Sequence, residues 1–284
     1  MSSVDSPGQI AWRRFRDHRT AMPALGLFAV IAVACLAAPL LAPYPMDAID
    51  LAAVKQAPGR LHWMGTDDLG RDVFSRLLFG GRISIVIGLL AAVAGTGLGA
   101  VVGAVAAFYG RAVDNMLMRV TDVAYAIPSL PLLIILSAYS KAAIVSMVLI
   151  IAGLSWMATA RVVRAEVLTI REMAFVEAAR VLGQGSGSTI LRHVLPNTLG
   201  SLIVGATLGV GNAIMIESSL SFLGLGVQPP TATWGNMLMD AQSTMATKPW
   251  LTVFPGGAIL IVILAVNFVG DGLRDALDPG QGRR

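Results

Sequence analysis

Charge is scarce in this chain. Only 13% of its 284 residues are Asp, Glu, Lys or Arg, against 55% hydrophobic residues, where a soluble domain carries about 25% charged residues. With a mean hydropathy of +0.71, most side chains have lipid rather than water as their solvent. Cysteine is nearly absent. Cys35 stands alone inside an apolar run, which excludes a disulfide framework. The run continues well past it, which disfavours a lipid-anchored cysteine and leaves a buried thiol. The three histidines, His18, His62 and His193, are scattered and lie outside the apolar runs. That argues against a metal centre and against a Ser–His pair working within the bilayer. No repeat and no low-complexity tract is evident. No basic patch interleaves with aromatics, so the net charge of +4 reads as lysine and arginine on one side of a membrane, not as a nucleic-acid surface. The stretch Gly183-Gln-Gly-Ser-Gly-Ser-Thr189 lacks the lysine and the preceding strand of a phosphate loop.

What is abundant is uncharged length. Runs near the roughly 20 residues needed to cross hydrocarbon as helix occur at Met22–Pro43, Ile83–Tyr109, Val123–Ser140, Ala142–Ala160, Leu195–Ile216 and Pro249–Gly270. A further run, Ser218–Met239, holds Gly224, Gly226, Pro229 and Pro230 and reads as loop. The expected fold is an all-α membrane protein with six spans. Residues 1–21 form a basic amino-terminal segment and 22–43 the first span, too long for a signal-peptide core. Residues 44–82 form an outer loop, 83–274 a five-helix core containing a polar loop at 161–197, and 275–284 a short tail. Most of the basic residues then fall on the side of the two termini, which predicts that both termini are cytoplasmic. The outer loop is the exception, with Lys55, Arg60, Arg71, Arg76 and Arg82 at or within its edge.

Several local patterns carry expectations. Val73, Phe74, Leu77 and Leu78 recur at helical spacing and predict a short amphipathic helix on the membrane surface before the second span. Asp67, Asp68 and Asp72 lack the ligand spacing of a calcium loop and fit turn and capping chemistry. Gly95, Gly99 and Gly103, four apart, predict a seam where two helix backbones approach closely. Arg119 and Asp122 fall on one helical face as a paired anchor. Pro128 and Pro131 bend or loosen the third span. The five tryptophans mostly mark the interfaces. Glu217, alone between uncharged runs, either lines a pathway with Ser218 and Ser221 or hydrogen-bonds them as structure.

The polar loop is the most informative segment. Met173 to Leu182 has helix formers and a Glu177–Arg180 pair at i, i+3. Gly183 stops that helix, and Gln184 to Ser188 make a flexible turn. Ser188 or Thr189 caps a second short helix through Val194, and Pro196 opens the next span. The result is a compact knob, shaped to enter a groove on a partner and to tilt the spans on either side.

Here the chain resembles a known family. Glu177-Ala178-Ala179, then Gly183, His193 and Leu195-Pro196 are similar to the cytoplasmic loop motif of importer-type ABC transporter permeases. His193-Val-Leu-Pro-Asn197, Gly65-Thr-Asp-Asp-Leu-Gly-Arg-Asp72, Leu220-Ser-Phe-Leu-Gly-Leu-Gly226, Trp234-Gly-Asn-Met237 and Gly270-Asp-Gly-Leu-Arg-Asp-Ala-Leu-Asp-Pro279 resemble the dipeptide, oligopeptide and nickel branch. The resemblance implies a type I importer permease fold in the bacterial inner membrane, with a coupling helix in the 161–197 loop. It implies a homologous second permease, two cytoplasmic subunits that bind ATP and Mg, and an extracytoplasmic binding protein. The chain itself would hold no cofactor and would not be an enzyme. Short peptides are the expected cargo. Nickel or another small polar solute is the alternative within the branch, and an ion-coupled transporter or channel subunit the alternative in another class.

Overall fold

The computed structural model of the chain describes residues 7–140 and 143–277. Among these residues the regular structure is helical, apart from an isolated antiparallel bridge between Thr66 and Asp72. Helix α1 (Pro7–Asp17) leads at 87° into α2 (Ala21–Leu36), followed by a single turn, α3 (Ala38–Leu41). A folded loop then reaches α4 (Val73–Tyr109). Next come α5 (Arg111–Ala126), α6 (Ser129–Tyr139) and α7 (Ile144–Ile170). After the short α8 (Ala174–Val181) and α9 (Ser186–Thr189), the chain enters α10 (Leu199–Phe222), α11 (Trp234–Ala241) and α12 (Trp250–Leu277). Among the described residues, four helical stretches are long and apolar enough to cross a membrane. The count reaches six when the bent pairs α1–α2 and α5–α6 each form one span.

The surface helix expected before the second span does not exist as a separate element. Helix α4 runs unbroken for 37 residues, about 55 Å at 1.5 Å per residue, so the expected boundary at residue 83 falls inside it. Val73, Arg76 and Leu78 are buried against protein. Asp72 caps the helix, accepting from the Ser75 amide at 2.8 Å, which satisfies one of its free amides. Gly80 and Gly81 serve as a landing place. A Cβ at Gly81 would strike the Cys35 sulfur and the Trp234 ring, and one at Gly80 would meet the Thr233 backbone. Cys35 is the buried structural thiol expected of it. Trp234, 1% exposed, is a core residue rather than an interfacial one, its indole N–H bonded to the Leu77 carbonyl at 3.0 Å.

The glycine seam on α4 has its partner in α7. A Cβ at Gly95 would meet Ser155, one at Gly99 the Trp156 carbonyl and Thr159, and one at Gly103 the Ala160 carbonyl and the Arg164 amide. Backbone contact at that range is the packing mode open to helices in lipid, where no hydrophobic effect separates helix from solvent. Gly103→Leu is expected to cost about 1–3 kcal/mol by overpacking. A lower midpoint in a detergent thermal-unfolding assay, with normal membrane insertion, would show it. An unchanged midpoint would mean the seam is not tight.

The third span is broken rather than bent. Ile127 is extended (ψ 127°), and α5 and α6 meet at 86°. Pro128 drives its predecessor out of the helical region. Pro131 falls in the first turn of α6, where a missing amide is tolerated. The expected Arg119–Asp122 pair is replaced by a longer-range one: Asp122 takes the Arg161 guanidinium of α7 at 2.8 Å. Asp114 takes Arg164 in a two-pronged pair at 2.5 and 2.7 Å. These pairs pin α5 to α7, where sequence spacing alone suggested a bond within α5. Ala142, expected to start the fourth span, lies outside the described residues, as do residues 278–284 of the expected tail.

At the opposite end of the bundle the loop folds back through charge. Asp67 accepts from the Leu69 and Arg71 amides and pairs with the Arg71 guanidinium at 2.7 Å. Arg71 and Arg76 both reach Asp240 of α11 at 3.2 Å. Burial pushes the Asp240 carboxyl above its ordinary range, against the pull of Arg76 and Arg71. Asp72 also pairs with His62 at 2.9 Å. The three aspartates are thus engaged in turn and cap contacts, as their spacing suggested, and in ion pairs, which it did not suggest. Lys55 holds Asp68 at 3.2 Å.

Candidate functional site

The knob occupies residues 174–198, at the end of the bundle that also carries α1. Its first helix, α8, buries one face. Val176 is 0% and Ala179 7% exposed, three positions apart, while Val181 and Leu182 stand 82% and 86% exposed at the tip. Val176, Ile190 and Val194 join one apolar cluster with Ala100, Ala104 and Ala107 of α4 and Val163, Val167 and Ile170 of α7. Leu195 packs against the same cluster. Each buried branched side chain is worth about 1.5–3 kcal/mol, so the knob is mounted as a rigid body. Arg171 locks the mount from the side, donating to the Ala107 carbonyl near the end of α4 at 2.7 Å.

Gly183 ends α8 as expected. Its φ is +77°, and the Gln184 amide reaches back to the Ala179 carbonyl at 3.0 Å. That six-to-one bond around a left-handed residue is a Schellman closure. Two expectations are corrected at this point. The turn is shorter than Gln184–Ser188, because α9 begins at Ser186 with Gly185 as its cap. Ser188 and Thr189 therefore sit inside the helix instead of capping it, and Thr189 bonds the Gly185 carbonyl behind it at 3.2 Å. From α9 the chain passes through one π turn (Ile190–Val194) and one 3₁₀ turn (Leu195–Thr198, with Pro196 in its first turn) straight into α10. The whole stretch Ser186–Phe222 is one 37-residue helical rod.

His193 braces the elbow between the two knob helices. Its Nε2 donates to the Gln184 Oε1 at 3.0 Å, and the Gln184 amide donates to Ser188 at 2.9 Å. Asn197 closes on the His193 carbonyl at 2.6 Å. Glu177 and Ala178 face solvent. The expected Glu177–Arg180 pair involves a side chain outside the described residues. The structure thus brings Ala179, Gly183, His193, Leu195 and Pro196 together as the frame of the knob and leaves Glu177 and Ala178 on its open side.

Glu217, Ser218 and Ser221 are a separate group. Glu217 is 0% exposed. Its Oε1 accepts from Ser221 at 2.7 Å and its Oε2 from Ser84 of α4 at 2.9 Å. Ser84 in turn accepts from the Trp234 amide at 3.3 Å. One carboxyl group therefore joins α4, α10 and α11 and is enclosed by them.

Open space lies elsewhere, between α4, α7 and α10. A cavity of about 340 Å³ is lined by Thr96, Ser155, Thr159, Ser201 and Asn212 among apolar residues. A second, of about 830 Å³, shares Val162, Ser201 and Gly205 with the first and continues past Glu166 and Thr169 toward Arg274 at the knob end. Ser201 bonds Glu166 across the passage. Sequence reasoning passed over these residues. The available signal was an uncharged amide, Asn212, deep within an apolar run.

A bundle of membrane-spanning helices, with a knob at one end and a polar cleft leading to it, defines a membrane transport subunit. Residues 95–283 match the family of binding-protein-dependent transport system inner membrane components. Residues 6–58 match the N-terminal TM domain of oligopeptide transport permease C. The chain belongs to the first of these families. It is 47% identical over 268 residues to a protein of Brucella suis biovar 1 (strain 1330) named as a peptide permease protein, covering 94% of this chain and 89% of that one. It is 39% identical over 283 residues to the oligopeptide transport system permease protein OppC of Mycobacterium tuberculosis (strain H37Rv), covering 99% and 97%. With the protein of the same name from Bacillus subtilis (strain 168) it shares 39% over 269 residues, covering 95% and 88%. It is a transport component of the ABC permease type and not an enzyme.

Proposed function

We propose that this chain is one of two permease subunits of an ATP-driven importer of short peptides, with both termini cytoplasmic. The knob docks on a cytoplasmic ATPase, a homologous permease supplies the other half of the pathway, and an extracytoplasmic binding protein delivers the peptide. ATP and Mg are held by the ATPase subunits. The names of the relatives support the cargo. One observation carries the coupling: the apolar tip at Val181 and Leu182 is exposed while the base is buried in the ends of α4 and α7, and the second knob helix continues without a break into α10. A force on the tip is therefore delivered to these three spans as rigid-body motion.

Purification of the chain with its native partners tests this. Two P-loop ATPases are expected to accompany it. A self-sufficient oligomer that moves solute without ATP would reject the proposal, and an ATP-driven complex that imports nickel but no tripeptide would reject the cargo. Glu177→Lys reverses a charge on the open side of the knob without touching its buried base. It is expected to leave insertion and folding intact and to lower ATP-driven uptake about tenfold or more through weakened docking. Retention of the ATPase at parental yield, with full uptake, would contradict the assignment of that face.

A further inference from the structure

We infer that the cleft between α4, α7 and α10 is a track that holds the main chain of the peptide in transit, with Asn212 as its deepest contact. The inference rests on the importer reading and names the residues through which that reading would work. Asn212 lies near the middle of α10 and is exposed. Among the described residues no hydrogen-bond partner is shown for its amide. An unpaired amide at membrane depth costs several kcal/mol against hydrocarbon, so this side chain is built to meet something polar. Around it the cavity presents the hydroxyls of Thr96, Ser155 and Thr159 and no charge. Charge appears only further along, at Glu166 and Arg274 beside the knob end.

That lining has a chemical signature. A side-chain amide and hydroxyls donate and accept together, which matches the alternating N–H and C=O groups of a peptide backbone. They offer no fixed charge to select acidic or basic side chains. The track therefore favours peptides as a class and is indifferent to their sequence. The Ser201–Glu166 bond crosses the passage where the two cavities meet. It forms a constriction between the neutral section and the charged mouth. Glu217 takes no part: five residues on from Asn212, it points about 140° away around the helix, into the protein.

The test uses the assembled complex in liposomes, with trialanine and two tripeptides carrying a central Lys or Glu. The parental complex is scored first. If it fails to take up trialanine with ATP, the importer reading falls and the track with it. Given parental uptake, Asn212→Leu is expected to lower uptake of all three tripeptides by a common factor of about ten, the loss of one hydrogen bond to the peptide. Complex yield should be unchanged. Asn212→Cys is then labelled with a positively charged, membrane-impermeant methanethiosulfonate. Cys35 is 3% exposed and stays silent. Labelling in the nucleotide-free complex, slowed by trialanine, supports the track. Three results would each overturn the track alone: parental uptake by Asn212→Leu, a loss confined to one of the three peptides, or an Asn212→Cys variant that resists the reagent and cross-links to the sister permease. The last result would mean that the cleft seats a neighbouring subunit.

Discussion

Gly183→Val is expected to reduce ATP-driven peptide uptake about 100-fold while the protein still inserts and assembles its transmembrane bundle. The position is open, and a Cβ there would meet nothing within 4 Å, so the effect does not come from crowding. It comes from the backbone. At φ +77° a residue with a Cβ carries roughly 1–2 kcal/mol of strain, and a β-branched one more. Relief requires the Schellman closure onto Ala179 to open. The last turn of α8 then loses its register, and with it the placement of Val181 and Leu182 at the tip. The buried base, with Val176, Ile190 and Val194, is untouched, which is why insertion survives. A shift of about 1 Å in a part that must meet a partner can cost about 100-fold in a rate. Gly183→Asn, a residue that tolerates left-handed backbone, should restore much of the uptake. Equal loss in the valine and asparagine variants would show that the glycine serves close approach to the ATPase instead of the turn. Full uptake in the valine variant would remove the knob from the coupling route.

Features that depend on neighbours in sequence were legible, and features that depend on neighbours in space were not. Gly183 and Pro128 act within a few residues of themselves, so the end of α8 could be read from the chain, as could a disturbance of the helix near Pro128, though as a bend and not as a break. The Gly95–Gly99–Gly103 seam was legible as a seam, but nothing along the chain identifies α7 as its partner. The continuity of α4 was hidden because Gly80-Gly81, Arg76 and Arg82 resemble a boundary. Only the fold shows that Trp234 and Cys35 pack over the glycines and that Asp240 holds Arg76. Asp122 has an acceptable partner three residues upstream of it in Arg119, yet it bonds Arg161, 39 positions away. The cleft was the least legible feature of all. The lining of its deep section comes from three helices and consists of uncharged residues, each of them ordinary in a membrane span.

Glu217→Ala is expected to destabilise the subunit by about 3–5 kcal/mol, as loss of a buried group with unpaired partners does. Two terms add. The missing carboxyl leaves a void, and the hydroxyls of Ser84 and Ser221 lose the acceptor they converge on. Ser84 also carries the Trp234 amide, so the disturbance reaches the start of α11. Glu217→Gln should cost far less, about 1–2 kcal/mol. The amide oxygen still serves one hydroxyl, and the second hydroxyl must turn to accept from the amide nitrogen. The pair of variants separates two roles for this carboxyl group. If Glu217 serves as a tie between α4, α10 and α11, the glutamine variant takes up trialanine at close to the parental rate, with only its thermal midpoint lowered. If instead it meets the amino terminus of a peptide in transit, the glutamine variant loses apparent affinity for free peptides and keeps its affinity for N-acetylated ones. The enclosure of the group at 0% exposure, facing away from the cleft that Asn212 lines, makes the first outcome the expected one. A shift in KM for free peptides with an unchanged midpoint would reverse it.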